Sequence, residues 1–197
     1  MFHVKQPSIV LNLPGWLNSG AGHWQTLWED EYGDQRVVQA DWEQPLRGDW
    51  QIGLQEHVLA LLDASVAGET PSLVLVSHSL GCHLVSVWVK YSPLARHVRA
   101  ALLVAPPDLS QRSQIPPALR SWSPPVLEPM PFPSYLVCGD NDPYATLEAS
   151  RTMAKAWGCQ RCIEIEGGGH LNADSGLGDW AQGRQWLTDL LGSPQST

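Results

Sequence analysis

The chain has 197 residues, 43% of them hydrophobic and 16% charged, which fits one folded domain over 1–197 and excludes a disordered chain. Its formal net charge of −8 argues against nucleic acid or an anionic membrane surface as the main partner. No apolar run reaches bilayer-spanning length and residues 1–7 are unlike a signal peptide, so a cytoplasmic location without membrane insertion is expected.

Apolar strand-like runs alternate with helical patterns along the chain. The runs fall at 8–13, 36–39, 72–77, 100–105, 135–138 and 162–166, with helical patterns at 23–31, 50–62, 80–90, 144–157 and 179–191. The runs are continuously apolar rather than alternating, which predicts strands buried on both faces. A parallel sheet with helices on each side follows, hence an α/β, doubly wound class. One stretch breaks the rhythm: nine prolines lie between Pro106 and Pro133. Proline removes amide donors and biases its predecessor away from helix, so an irregular segment is expected after the fourth strand. It reads equally as a lid lining the substrate site and as a rigid crossover in place of a helix.

The third run leads into Ser77-His78-Ser79-Leu80-Gly81 and then a helix, the layout of a nucleophile elbow. Such a turn pushes the Ser79 hydroxyl clear of the backbone and leaves the Leu80 amide free near a helix N-terminus. The usual glycine two residues before the nucleophile is Ser77 here. An activated serine needs a base, and the base needs an acid, in the chain order Ser, Asp, His. The fifth run is followed by Gly139-Asp140-Asn141-Asp142-Pro143 and the sixth by Gly167-Gly168-Gly169-His170. His170 is the expected base. Asp140 and Asp142 compete as the acid; placement farther along the loop favours Asp142, with Asp140 shaping the turn. The loop after the first strand, Pro14-Gly15-Trp16, offers the Trp16 amide as second oxyanion donor beside that of Leu80. Trp16 and His78 are also expected to line the substrate pocket.

The remaining candidates read as structural. His23 is placed to cap the first helix or support the pocket, His83 to pack or bond locally, and His3, His57 and His97 show no partner pattern. Cys82 and Cys138 fall in core elements, and Cys159-x-x-Cys162 lacks the second pair that a zinc site needs, so no metal and no cofactor are expected. Glycine spacing matches neither a P-loop nor a dinucleotide fingerprint. Of ten tryptophans, Trp42, Trp50, Trp180 and Trp186 are expected to pack elements together, while Trp16, Trp24 and Trp122 are candidates for an apolar acyl pocket.

With these residues placed, the chain resembles the YdeN-like, retinoblastoma-binding-protein-9-like serine hydrolases, small members of the α/β-hydrolase fold. The resemblance rests on Pro14-Gly15-Trp16 with His23-Trp24, Asp41-Trp42-Glu43-Gln44-Pro45 with Asp49-Trp50, the elbow, Asp142-Pro143-Tyr144, and the block from Gly169 to Trp180. It implies a mostly parallel sheet of about six strands in the order 2-1-3-4-5-6, no large cap domain, and a Ser79–His170–Asp142 triad. The retinoblastoma partner does not carry over, because the nearest L-x-C-x-E match, from Gln160 to Glu164, has glutamine in place of leucine. The expected function is hydrolysis of a small carboxylic ester or thioester through an acyl-enzyme. The alternative is a non-catalytic protein-binding member of the fold.

Overall fold

The computed structural model describes residues 8–65 and 70–192. The expectation for residues 1–7, and His3 with it, lies outside the described residues. Six parallel strands form one sheet in the order β2-β1-β3-β4-β5-β6: β1 (Ser8–Leu13), β2 (Gln35–Arg36), β3 (Ser72–His78), β4 (Val98–Val104), β5 (Ser134–Gly139) and β6 (Arg161–Ile165). This is the predicted α/β-hydrolase arrangement.

Alternation along each central strand feeds two cores. Leu11, Leu13, Leu73, Leu75, Leu103 and Leu136 face α2 (Arg47–Asp63), α3 (Leu80–Tyr91) and α4 (Leu147–Trp157), packing with Trp50, Leu54, Trp88 and Trp157. Val74, Val76, Leu102, Val104 and Val137 face α1 (Trp24–Tyr32) and α5 (Ala181–Gly192), packing with Trp24, Trp28, Leu187 and Leu190. Burying apolar side chains on both faces yields the continuous apolar runs seen in the sequence.

Boundaries differ where single hydrogen bonds, not apolar periodicity, decide. The expected strand 36–39 is reduced to Gln35–Arg36, because Val37 still donates to the Asn12 carbonyl but Val38 turns out to solvent. Helix α2 starts at Arg47, ahead of its first apolar residue, as the Trp50 amide closes a turn on the Leu46 carbonyl. Helix α4 starts only at Leu147, since Thr146 caps it by accepting from the Ala149 amide at 3.2 Å. Asp49 and Glu148 sit in these first turns, where negative charge complements the helix dipole.

The proline-rich stretch contains a single 3-10 turn, Pro117–Trp122, and is otherwise irregular. It packs onto the core through Leu109, Ile115, Leu119, Trp122, Met130 and Phe132, all buried. Strand order reverses at β1, so the loops after β1 and β3 part there and leave a crevice at the strands' carboxyl ends.

Candidate active site

Ser79 sits at the tip of the turn from β3 into α3 with φ 54 and ψ −122, backbone space that few L-residues occupy. Two bonds hold it there: its amide donates to the Val104 carbonyl at 2.8 Å, and its carbonyl accepts from the Cys82 amide at 3.0 Å. Ser77 is wholly buried, and its hydroxyl donates to Cys82 Sγ at 3.3 Å. A small side chain that satisfies its own donor thus occupies the usual glycine place.

The three residues predicted from separate strand ends meet here. His170 Nε2 lies 2.8 Å from Ser79 Oγ, and His170 Nδ1 lies 2.9 and 3.1 Å from the two Asp142 oxygens. A carboxylate only accepts, so Nδ1–H donates to Asp142 and Nε2 is left to accept from the serine hydroxyl. Asp142 is almost wholly covered and also accepts from the Tyr144 amide. Tyr144 lays its ring edge-on to His170 at 4.6 Å.

Asp140 instead bonds the glycine turn. Its Oδ1 accepts from the Gly167 amide at 2.8 Å, and Asn141 Oδ1 accepts from the Gly169 amide at 2.7 Å. Gly167 and Gly169 have φ of 63 and 58, left-handed values that glycine adopts at little cost. On the far side, Trp24 Nε1 donates to the Leu171 carbonyl at 2.8 Å and His78 Nε2 to the His170 carbonyl at 2.9 Å. Asn141, Trp24 and His78 therefore fix the His170 loop, a role their sequence neighbourhood did not signal. Burial above all, then the nearby His23 and His170 rings, hold the His78 imidazole well below its ordinary value.

The loop after β1 closes over the serine from the other side. Gly15 approaches so nearly that a Cβ there would stand 2.7 Å from Ser79 Cβ and 3.2 Å from its Oγ. Two bonds fix the next residues, Leu17 amide to Trp42 carbonyl and Trp16 Nε1 to Glu43 carbonyl, each 3.0 Å. The Trp16 and Leu80 amides, predicted as oxyanion donors, have no acceptor among the described residues. His23 caps α1 as foreseen, accepting the Gln25 amide on Nδ1, and burial lowers its pKa to about 4.

A cavity of about 750 Å³ opens over Ser79 and His170. Trp16, Leu17, Leu109, Ile115, Leu119 and Tyr144 supply its apolar wall, so the first half of the proline-rich stretch lines the site. Trp16 and His78, the expected pocket residues, are both on its wall. Trp24 and Trp122 are not: each is buried in a core, Trp24 against Trp28 and Trp180, Trp122 against Trp50 with its Nε1–H on the Pro45 carbonyl. Their indole donors are spent on backbone carbonyls 147 and 77 residues away. Among the described residues no group of three or more His, Cys, Asp or Glu stands where it could hold a metal ion, and no helix is long and apolar enough to cross a membrane.

Residues 10–189 match the family described as serine hydrolase. The chain belongs to that family. Its fold is shared with a protein described as a YdeN-like hydrolase from Pectobacterium atrosepticum, at 23% identity and TM-score 0.78, covering 95% of this chain and 92% of that one. The ydeN gene product of Bacillus subtilis gives 17% identity and TM-score 0.68 over 95% and 100% of the two chains. A butyrate-bound thermophilic esterase, Est2 of Thermogutta terrifontis, gives 17% and 0.66 over 95% and 83%. At such identities these likenesses speak for the fold alone. No curated protein matches the sequence significantly.

Proposed function

We propose that this serine hydrolase cleaves carboxylic esters through an acyl-enzyme on Ser79, with His170 as general base and acid and Asp142 as its orienting carboxylate. The observation that carries the reading is the unbroken series from Ser79 Oγ to His170 to Asp142, at 2.8 and 2.9 Å. Ser79 Oγ attacks the ester carbonyl carbon as its proton passes to His170 Nε2. The carbonyl oxygen becomes an oxyanion between the Trp16 and Leu80 amides, the latter at the N-terminus of α3. Collapse of this adduct breaks the ester C–O bond, and the His170 Nε2–H protonates the departing alkoxide. Water then attacks acyl-Ser79 with His170 again taking the proton, and the carboxylic acid leaves with the hydroxyl of Ser79 restored.

The cavity favours an uncharged, apolar acyl group. Its wall is mainly aliphatic and aromatic, none of its lining residues among those described is Lys or Arg, and the exposed Asp108 carboxylate stands at its rim. A phosphate-bearing thioester, such as one carried on a nucleotide, would meet no Lys or Arg there and would face the repelling carboxylate of Asp108. A fluorophosphonate probe should label the wild type but neither Ser79→Ala nor His170→Ala. A p-nitrophenyl ester series of rising acyl length should be hydrolysed faster than a hemisuccinate of the same alcohol. Folded wild-type protein that neither labels nor turns over any ester would overturn the reading.

A further inference from the structure

His78 is one residue before Ser79, at the carboxyl end of β3, and its ring is packed out of solvent beside those of His23 at 4.7 Å and His170 at 4.9 Å. Its Nε2 lies 2.9 Å from the His170 backbone oxygen. A carbonyl can only accept, so the ring carries its proton on Nε2. The bond joins two segments that are 91 residues apart in the chain at Ser79 and His170 and that must hold one hydrogen bond between them.

The His170 segment needs such a tie. It follows three glycines, two of them left-handed, and Leu171 itself has φ 49. Its amides are held by the acid loop, through Asp140 and Asn141. Its carbonyls are held from the opposite side, by His78 and Trp24. Trp24 reaches across from α1, but His78 belongs to the same strand end as the nucleophile. No other described side chain bonds the His170 backbone from the elbow.

We infer that His78 is a positioning residue, whose Nε2–H ties the His170 carbonyl to the strand that carries Ser79 and so sets the distance between base and nucleophile. The inference rests on the proposed roles of Ser79 and His170. It assigns His78 a part in the chemistry other than lining the pocket, and that part requires a donor, not a ring. Burial in an edge-to-face row keeps the imidazole neutral, so no second positive charge stands beside the imidazolium that forms on His170.

The test compares His78→Phe, which keeps ring volume without the donor, with His78→Gln, whose Nε2 follows the same number of bonds from Cβ and restores it. Steady-state ester hydrolysis, fluorophosphonate labelling rate and thermal melting are measured on both and on the wild type. His78→Phe should lose kcat by about 10- to 100-fold with KM little changed, the scale expected for a sub-ångström to 1 Å misplacement of reacting groups. His78→Gln should recover kcat to within about threefold of the wild type, at a similar rate of labelling. Purely structural packing predicts the opposite order, because Phe fills the site better. Wild-type kcat in His78→Phe, or an equal loss in a folded His78→Gln, overturns the inference. Should His78→Phe fail to fold, the His78→Gln result decides alone. An inactive, unlabelled wild type would instead remove the proposed function itself.

Discussion

Replacing Gly15 by alanine is a sharp test of the proposed oxyanion site. The added Cβ would stand 2.7 Å from Ser79 Cβ, 3.1 Å from the His78 carbonyl oxygen and 3.2 Å from Ser79 Oγ. Ordinary carbon–carbon contact needs about 3.7 Å, so the loop after β1 must retreat from the elbow by about 1 Å. The Ser79 side has little room to yield, because its amide and carbonyl are both bonded and its dihedrals are unusual. The loop therefore moves, and it carries the Trp16 amide away from the developing oxyanion. A misplacement of about 1 Å costs on the order of 100-fold in rate, and full loss of one donor about 100- to 1,000-fold. The expected result is a kcat on p-nitrophenyl butyrate lowered about 100-fold, KM nearly unchanged, and a stability loss of about 1–2 kcal/mol from overpacking. Gly20→Ala is the matched control, since a Cβ there meets nothing within 4 Å though Gly20 lines the same cavity. If Gly15→Ala keeps kcat within about threefold of the wild type, the Trp16 amide is not the donor and the oxyanion account fails.

Asp142→Asn should lower kcat by about 10⁴-fold, because an amide can present its NH₂ to His170 Nδ1 and so favour the wrong tautomer. Asp140→Asn, which keeps an acceptor for the Gly167 amide, should stay within about tenfold; equal losses in the two variants would refute the assignment of the acid. Acid should destabilise the fold through its buried imidazoles: burial lowers the His83 pKa from 6.5 to about 4. The unfolded chain then binds more protons than the native one, so this contribution is complete above pH 6.5 and fades as pH falls towards 4. The loss is about 3 kcal/mol for such a group, read from urea melts across that window. His83→Gln retains a donor for the Pro107 carbonyl and should flatten the slope; an unchanged slope would sink the assignment.

The convergence of Ser79, Asp142 and His170 was legible because their residue types are rare and ordered. A serine at a strand-to-helix turn, an aspartate before a proline and a histidine after three glycines each carry a local signal, and strand order then brings them to one edge. The supports carried none. Trp24 reads as an acyl-pocket candidate because its segment lies near the presumed site, yet its indole N–H is needed by a carbonyl 147 residues away. Such a demand exists only once the chain is folded. Asn141 was hidden by the two aspartates around it, and His78 by its adjacency to Ser79, which spoke for pocket lining rather than for a bond to His170. Helix starts failed for a related reason: apolar periodicity marks the buried face, while Leu46 and Thr146 set the first turns through single hydrogen bonds.

The proposed nucleophile and base are unequally rooted. Ser79 leaves the centre of the sheet, where β3 is paired on both sides, whereas His170 follows β6, a half-exposed edge strand that pairs with β5 alone and packs against α4. Outside the sheet that strand is braced by the exposed Arg151–Glu164 ion pair, a contact of the kind that adds little stability in water. Local opening free energies generally fall from core strands towards edges. Amide hydrogens of β6 are therefore expected to exchange faster than those of β3. Warming should therefore separate His170 from Ser79 before the interior loosens, so loss of turnover is expected to precede loss of ellipticity.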